Sequence, residues 1–212
     1  MATLADILRA VENGVFPASD LGVTVVPAPS DRESCVLAFT GHIVIAADVD
    51  PAWIADQLTP GDLSAPLNPH FLSALEARTG RRVNAIDLML IAAATAAPDE
   101  VGLMEVTQRE HPRVRRALRY RDDVRVYADP DGRLVVIGRG LAGRQECAVE
   151  VPEQYRNAGA GRRLAAAARS LVPQGTHVWA QVTPGNAASL RAFLAAGFRP
   201  IGSEALLVRD AS

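Results

Sequence analysis

Ala148-Val149-Glu150-Val151-Pro152-Glu153-Gln154-Tyr155-Arg156-Asn157-Ala158-Gly159-Ala160-Gly161-Arg162-Arg163-Leu164 reads as a strand, a short loop and the opening of a helix. Val149 and Val151 alternate with Ala148 and Glu150, the period of a half-buried strand. Pro152 withdraws a backbone donor and ends the pairing. From Arg162 the period changes, and Leu164, Ala165, Ala168, Leu171 and Val172 fall on one helical face. Between the two elements lies Arg-x-x-Gly-x-Gly. A helix N-terminus offers amides with no intrahelical partner and a partial positive charge. Such a loop is suited to a phosphate or pyrophosphate. A dinucleotide fingerprint fails because its third glycine would fall on Leu164, and the loop from Val151 is too long for that motif. A P-loop fails because no Gly-Lys-Ser/Thr follows.

Val151 to Gly161, read as Val-x-x-x-x-Arg-x-x-Gly-x-Gly, resembles the acyl-CoA pyrophosphate loop of the GCN5-related N-acetyltransferase (GNAT) superfamily. A second stretch carries the same resemblance. His177-Val178-Trp179-Ala180-Gln181-Val182 reads as a strand and leads through Thr183-Pro184-Gly185 into a helix opened by Asn186 and closed by Gly197-Phe198. The resemblance implies an α/β (α+β) fold, a mostly antiparallel mixed sheet flanked by helices, preceded here by an N-terminal α/β extension. It implies an acetyltransferase that uses acetyl-CoA as cosubstrate. The expected division is 1–101 for the extension and 102–212 for the acetyltransferase domain.

Composition narrows the alternatives. The formal net charge is −2, charged residues make up 22% and aromatic residues 5%. That gives no electrostatic or stacking case for nucleic acid. Cys35 and Cys147 stand far apart with no histidine cluster, so buried thiols are expected, and neither a disulfide framework nor a metal site. No apolar run reaches membrane-spanning length, and the N-terminus shows no basic region followed by an apolar run. A soluble cytoplasmic protein is expected.

Along the chain, Thr3 starts a helix that Asn13-Gly14 stops, and Val23 to Val26 is extended. Cys35–Phe39 and His42–Ala46 flank Thr40-Gly41 as a hairpin, with His42 as a surface or capping residue. Asp50-Pro51 and Asn68-Pro69 open two further helices, the second closing on Gly80. Strands are expected at 87–94 and 102–107, with a linker or loop across 94–100. A basic helix follows over 111–120, read as a solvated face that could meet an acidic substrate or the CoA 3′-phosphate. Then come a hairpin around Asp129-Pro130-Asp131-Gly132, a strand over 145–151 and a last strand over 204–208.

The resemblance assigns roles. Main-chain groups of Val149 to Val151 pair with pantetheine and polarise the acetyl carbonyl. Amides of Asn157, Ala158, Gly159, Ala160 and Gly161 hold the pyrophosphate, with Arg156 opening the loop. Asn186 contacts the pantetheine arm or caps its helix. Phe193 stands where many relatives have the tyrosine that protonates the leaving thiolate, and is expected beside the pantetheine sulfur or against the core. For the base, period-2 alternation puts Glu146 and Glu150 on one strand face. They form a candidate proton-accepting pair, or simply a polar strand face. The acceptor is expected to be a small-molecule or protein amine. Covering the core, shaping the acceptor cleft and making a homodimer contact are the roles open to the first half. The alternative function is a non-catalytic acyl-CoA-binding sensor or interaction module.

Overall fold

The computed structural model describes residues 2–96 and 101–209. Helix α1 (Leu4–Glu12) begins on Thr3, whose hydroxyl accepts from the Asp6 amide while the Asp6 carboxylate accepts from the Thr3 amide. Two of the orphan donors of the first turn are thereby satisfied, and Leu4, Leu8 and Val11 are buried at helical spacing. Strands β1 (Gly22–Val26), β2 (Glu33–Phe39) and β3 (His42–Ala46) follow. The β2–β3 hairpin is antiparallel, with Phe39 opposite His42 around Thr40-Gly41, and β1 runs parallel to β3. Helices α2 (Pro51–Gln57) and α3 (Pro69–Thr79) start on Asp50 and Asn68, whose side chains accept from Ala52 and His70 amides. Proline at the first helical position costs no hydrogen bond there.

Strand β4 (Arg82–Ala93) starts earlier than the expected 87–94. Its first residues are exposed or half-buried and of mixed polarity, so no apolar run marks them; the buried stretch is Met89 to Ala92. His42 also departs from expectation. It is buried, with Nδ1 2.7 Å from Asp20 Oδ1 and Nε2 2.8 Å from Thr24 Oγ1. Asp20 lies 22 positions away in sequence, which is why proximity along the chain did not show the pairing. The hydrogen bond from His42 holds the Asp20 carboxyl below its ordinary range.

The 94–100 loop lies partly outside the described residues; 94–96 carry no regular structure. Strand β5 (Met104–Glu105) keeps only two residues of the expected 102–107 and pairs antiparallel with β6 (Asp122–Ala128). Between them lies α4 (Pro112–Tyr120), with His111 Nδ1 accepting from the Arg113 amide. Strands β6, β7 (Leu134–Arg139) and β8 (Gln145–Glu150) form an antiparallel meander. Helix α5 (Ala160–Ala168) opens two residues before the apolar period shows, because Gly159 in the left-handed region ends the loop there. It also ends before Leu171 and Val172. Strand β9 (His177–Val182) and helix α6 (Ala187–Ala195) match the sequence reading, and β10 (Arg199–Val208) starts earlier than the expected 204.

The chain forms two compact units. The second spans Met89–Pro200, and the first comprises the residues before and after it. In the first, strand order is β1-β3-β2-β10, and Phe71, Leu72 and Leu75 of α3 pack with Val36, Ile43, Ile45, Ala205 and Leu207. In the second, the order is β9-β8-β7-β6-β5, a mixed sheet with a helix layer on each face. Val135, Ile137 and Cys147 pack with Leu164, Ala165 and Ala168 of α5. Leu134 and Val136 pack with Val114 and Ala117 of α4. Leu134, Val136 and Gly138 stand opposite Glu150, Ala148 and Glu146, which places both glutamates on the α4 face.

Candidate functional site

Strand β8 pairs with β7 along its whole length, but its register with the parallel strand β9 is a single pair, Glu146 with Trp179. Past that pair the edge of β8 facing β9 is open. A cavity of about 600 Å³ is lined by Val149, Glu150 and Val151, by Arg156, Asn157 and Gly159 to Arg162 of the loop and α5, and by Asn186, Ser189 and Ala192 of α6.

The loop turns on two residues in the left-handed region, Asn157 (φ 63°) and Gly159 (φ 75°). Asparagine tolerates that conformation; at Gly159 any side chain would be strained. Arg156 closes the loop by donating from Nε to the Val151 carbonyl at 3.2 Å. Arg163 donates to the Ala158 carbonyl at 3.2 Å, so Ala158 supports the loop without lining the cavity. Gly159 caps α5 with no side-chain hydrogen bond, and the first turn carries no acid. The opening amides of α5 therefore face the cavity with neither a side-chain cap nor a local negative charge. Gly161 is placed differently: a Cβ there would sit at ordinary contact distance, 3.4 Å from the Ala192 Cβ and 4.0 Å from Val151 Cγ2, with α6 directly beyond it.

Asn186 caps α6, its Oδ1 accepting from the Ser189 amide at 3.1 Å. Asn186 also lines the cavity. Phe193 does not line it. The ring lies in the core, edge-on to Phe198 at 4.9 Å between centroids. Of the two placements open to it from sequence, the structure takes the core.

The two glutamates are separated by their partners. Glu150 lines the cavity and receives Nε and Nη2 of Arg113 on one oxygen, Oε2, at 3.0 and 2.7 Å. Oε1 has a looser contact, 3.9 Å to Arg156 Nη2. Glu146 is buried and does not line the cavity. Oε2 accepts from Arg121 Nε at 2.9 Å; Oε1 accepts from Arg144 Nε at 2.8 Å, Gln181 Nε2 at 2.9 Å and the Leu141 amide at 3.3 Å. Burial alone would raise this carboxyl, but the Arg144 and Arg121 guanidiniums more than offset it and hold it below the usual carboxylate range. Arg144 also stacks on Trp179, 4.8 Å from the ring centroid. A side chain at Gly140 would overlap the Glu146 carboxylate, so the β7–β8 turn is shaped around this ion cluster. Cys147, on the opposite strand face, is buried and its thiol is pushed up to about 12, which keeps it unreactive.

Arg113, Arg162 and Arg191 join Arg156 in the lining, against Glu150 as its one acid, so the cavity favours an anion. None of the three was singled out from sequence as a site residue. Arg162 carried a readable signal, a helix opening on arginines where acids are the rule. Arg113 did not, because its approach to Glu150 spans 37 positions. Among the described residues no helix is long and apolar enough to cross a membrane, and no group of His, Cys, Asp and Glu could hold a metal ion.

The chain is similar to solved structures of GNAT proteins. One, a GNAT-family protein from Novosphingobium aromaticivorans, shares 24% identity over 62% of this chain and 69% of its own, with a TM-score of 0.42. A GCN5-related N-acetyltransferase from Kribbella flavida shares 15% over 100% of this chain and 98% of its own, at 0.48. Another, from Sphaerobacter thermophilus, shares 14% over 64% of this chain and 54% of its own, at 0.37. No protein-family model and no curated protein matches the chain.

Proposed function

We propose that this protein is a GNAT-type N-acetyltransferase that moves an acetyl group from acetyl-CoA to a primary amine. The observation that carries the reading is the uncapped N-terminus of α5 behind the Asn157–Gly159 turn, at the end of a strand whose outer edge is open. Amides of Gly159 to Arg162, with Arg156, Arg162 and Arg191, suit a pyrophosphate and its neighbouring phosphate. Val149 and Val151 would offer an apolar wall and open main-chain groups to the pantetheine arm, and the Asn186 amide nitrogen would donate to it.

Glu150 is assigned as the base. Oε1 has lone pairs to spare, whereas both oxygens of Glu146 are occupied by buried cations. Glu150 takes a proton from the incoming ammonium, directly or through water; the amine nitrogen then bonds to the thioester carbon and the C–S bond breaks. The second amine proton leaves with the CoA thiolate or to solvent. A thiol of pKa near 8.5 is a tolerable leaving group without a tyrosine, so Phe193 in the core is compatible with turnover. Its lack of a hydroxyl is also what favours the second reading, a non-catalytic acyl-CoA-binding module. An amine panel with acetyl-CoA and a free-thiol readout decides between them: CoA release with some amine supports the enzyme, and none across the panel supports the module. Glu150→Gln is expected to lower kcat by about 10²–10⁴-fold, with acetyl-CoA affinity little changed. Unaltered kcat would remove Glu150 from the role.

A further inference from the structure

We propose that the acceptor is an amine whose body carries a negative charge, held along one stripe of α4; this rests on the acetyltransferase reading above. Helix α4 and the residue after it contain five arginines, Arg113, Arg115, Arg116, Arg119 and Arg121, and no acid, in a chain of net charge −2. A solvated helix face would pair or scatter these charges. Here they follow a pattern. Val114 and Ala117 are buried against the sheet. Arg113 lines the cavity and is neutralised by Glu150. Arg115 is exposed and has a long contact to Glu110 at 3.9 Å. Arg121 is taken by Glu146.

Arg116 and Arg119 remain, and neither has a carboxylate partner among the described residues. Both guanidiniums gather on one ring, 5.2 and 5.4 Å from the Tyr120 centroid. Two like charges brought to the same aromatic ring without a counter-ion repel one another, and an anion between them relieves that repulsion. Arginine suits this role, since its planar fork matches carboxylate and phosphate geometry and still stacks on a ring. Positions 113, 116 and 120 follow one another along one helix face. Seven residues at helical rise put the Tyr120 end about 10 Å from Arg113 at the cavity. An acceptor reaching Glu150 with its amine can therefore lay a carboxylate or phosphate on Arg116 and Arg119. The shared chemistry is an amine with an anion at that reach, whether in a peptide or a small molecule.

The test uses matched acceptors: Gly-Gly-Glu-Glu-amide against Gly-Gly-Gln-Gln-amide, and aminopropyl phosphate against aminopropanol. All 22 basic side chains of the protein are arginine, so it has no lysine amine to compete as acceptor. The anionic member of at least one pair is expected to be favoured by about ten- to a hundredfold in kcat/KM, and the favoured pair identifies the source. The R116Q/R119Q double variant should lose that preference through KM, with kcat and CoA affinity unchanged. Equal use of the members of both pairs, or a preference that survives in the double variant, overturns the proposal. Binding of a fluorescent Gly-Gly-Glu-Glu peptide and of a fluorescent aminopropyl phosphate, read by anisotropy, tests the patch without turnover. Salt-sensitive binding of either that the double variant loses supports it, and no binding above the uncharged controls overturns it. Failure of the protein to bind CoA would instead overturn the acetyltransferase reading, and the anisotropy result would still decide the patch.

Discussion

Glu146→Gln is expected to destabilise the protein by about 3–5 kcal/mol, the usual cost of removing one partner from a buried ion cluster. The variant removes the charge of the carboxylate that Arg121 and Arg144 share, and Arg121 Nη1 is already buried without a hydrogen-bond partner. A glutamine can turn its carbonyl to only one of the two arginines, so its amide nitrogen meets the other, donor against donor. With typical stabilities of about 5–15 kcal/mol, this is a large share of the total. For a domain of this size it lowers Tm by roughly 6–20 °C. The pH dependence follows from the direction of the shift. Glu146 titrates below its unfolded value when folded, so its contribution is present above the ordinary carboxylate range, near pH 4.5, and is lost as pH falls through the lower folded pKa. Urea midpoints measured from pH 7 downward should therefore fall for the wild type in that acid range and change less for Glu146→Gln. Equal midpoints for the two proteins at pH 7 would show that the cluster contributes nothing.

Gly159→Val is expected to abolish CoA binding while leaving the protein folded. Gly159 has φ 75°, and a β-branched side chain there costs at least ~1–2 kcal/mol. The loop is exposed at this position and no buried cluster depends on it, so the chain relieves the strain by changing the turn. That change moves the opening amides of α5, which are the proposed anion donors. Gly161→Val acts by another route. Its Cβ would already be in contact with Ala192 and Val151, so the two methyls beyond it are expected to push on α6 and with it Asn186. A far-ultraviolet spectrum and melting curve like those of the wild type, together with lost CoA affinity, are the expected results for Gly159→Val. Unchanged affinity in a folded variant would take the loop out of the site.

Local chemistry made much of this legible in the sequence. Thr3, Asp50, Asn68 and Asn186 are caps whose side chains announce the helix to come, and each is a cap in the structure. The strand-loop-helix grammar from Ala148 to Leu164 placed the cavity wall, and period-2 alternation put Glu146 and Glu150 on the α4 face. Alternation says which face a side chain takes but not what waits there. Arg121, Arg144 and Gln181 reach Glu146 from a helix end, a turn and a neighbouring strand, and Arg113 reaches Glu150 from 37 residues away. The roles of the two carboxylates therefore diverge for reasons that only tertiary structure supplies. The Asp20–His42–Thr24 chain is another such case. The starts of β4 and β10 are not legible for a simpler reason: both strands begin in exposed residues and continue with mixed polarity that no apolar pattern marks.

The proposed acyl-CoA site, one per chain, is built by the loop from Arg156 to Gly161. Calorimetric titration of CoA into the wild-type protein tests it most directly. Saturable binding at one CoA per chain is expected, with affinity falling as salt rises because the phosphates meet guanidiniums and a helix N-terminus. No binding, or two CoA molecules per chain, would contradict it.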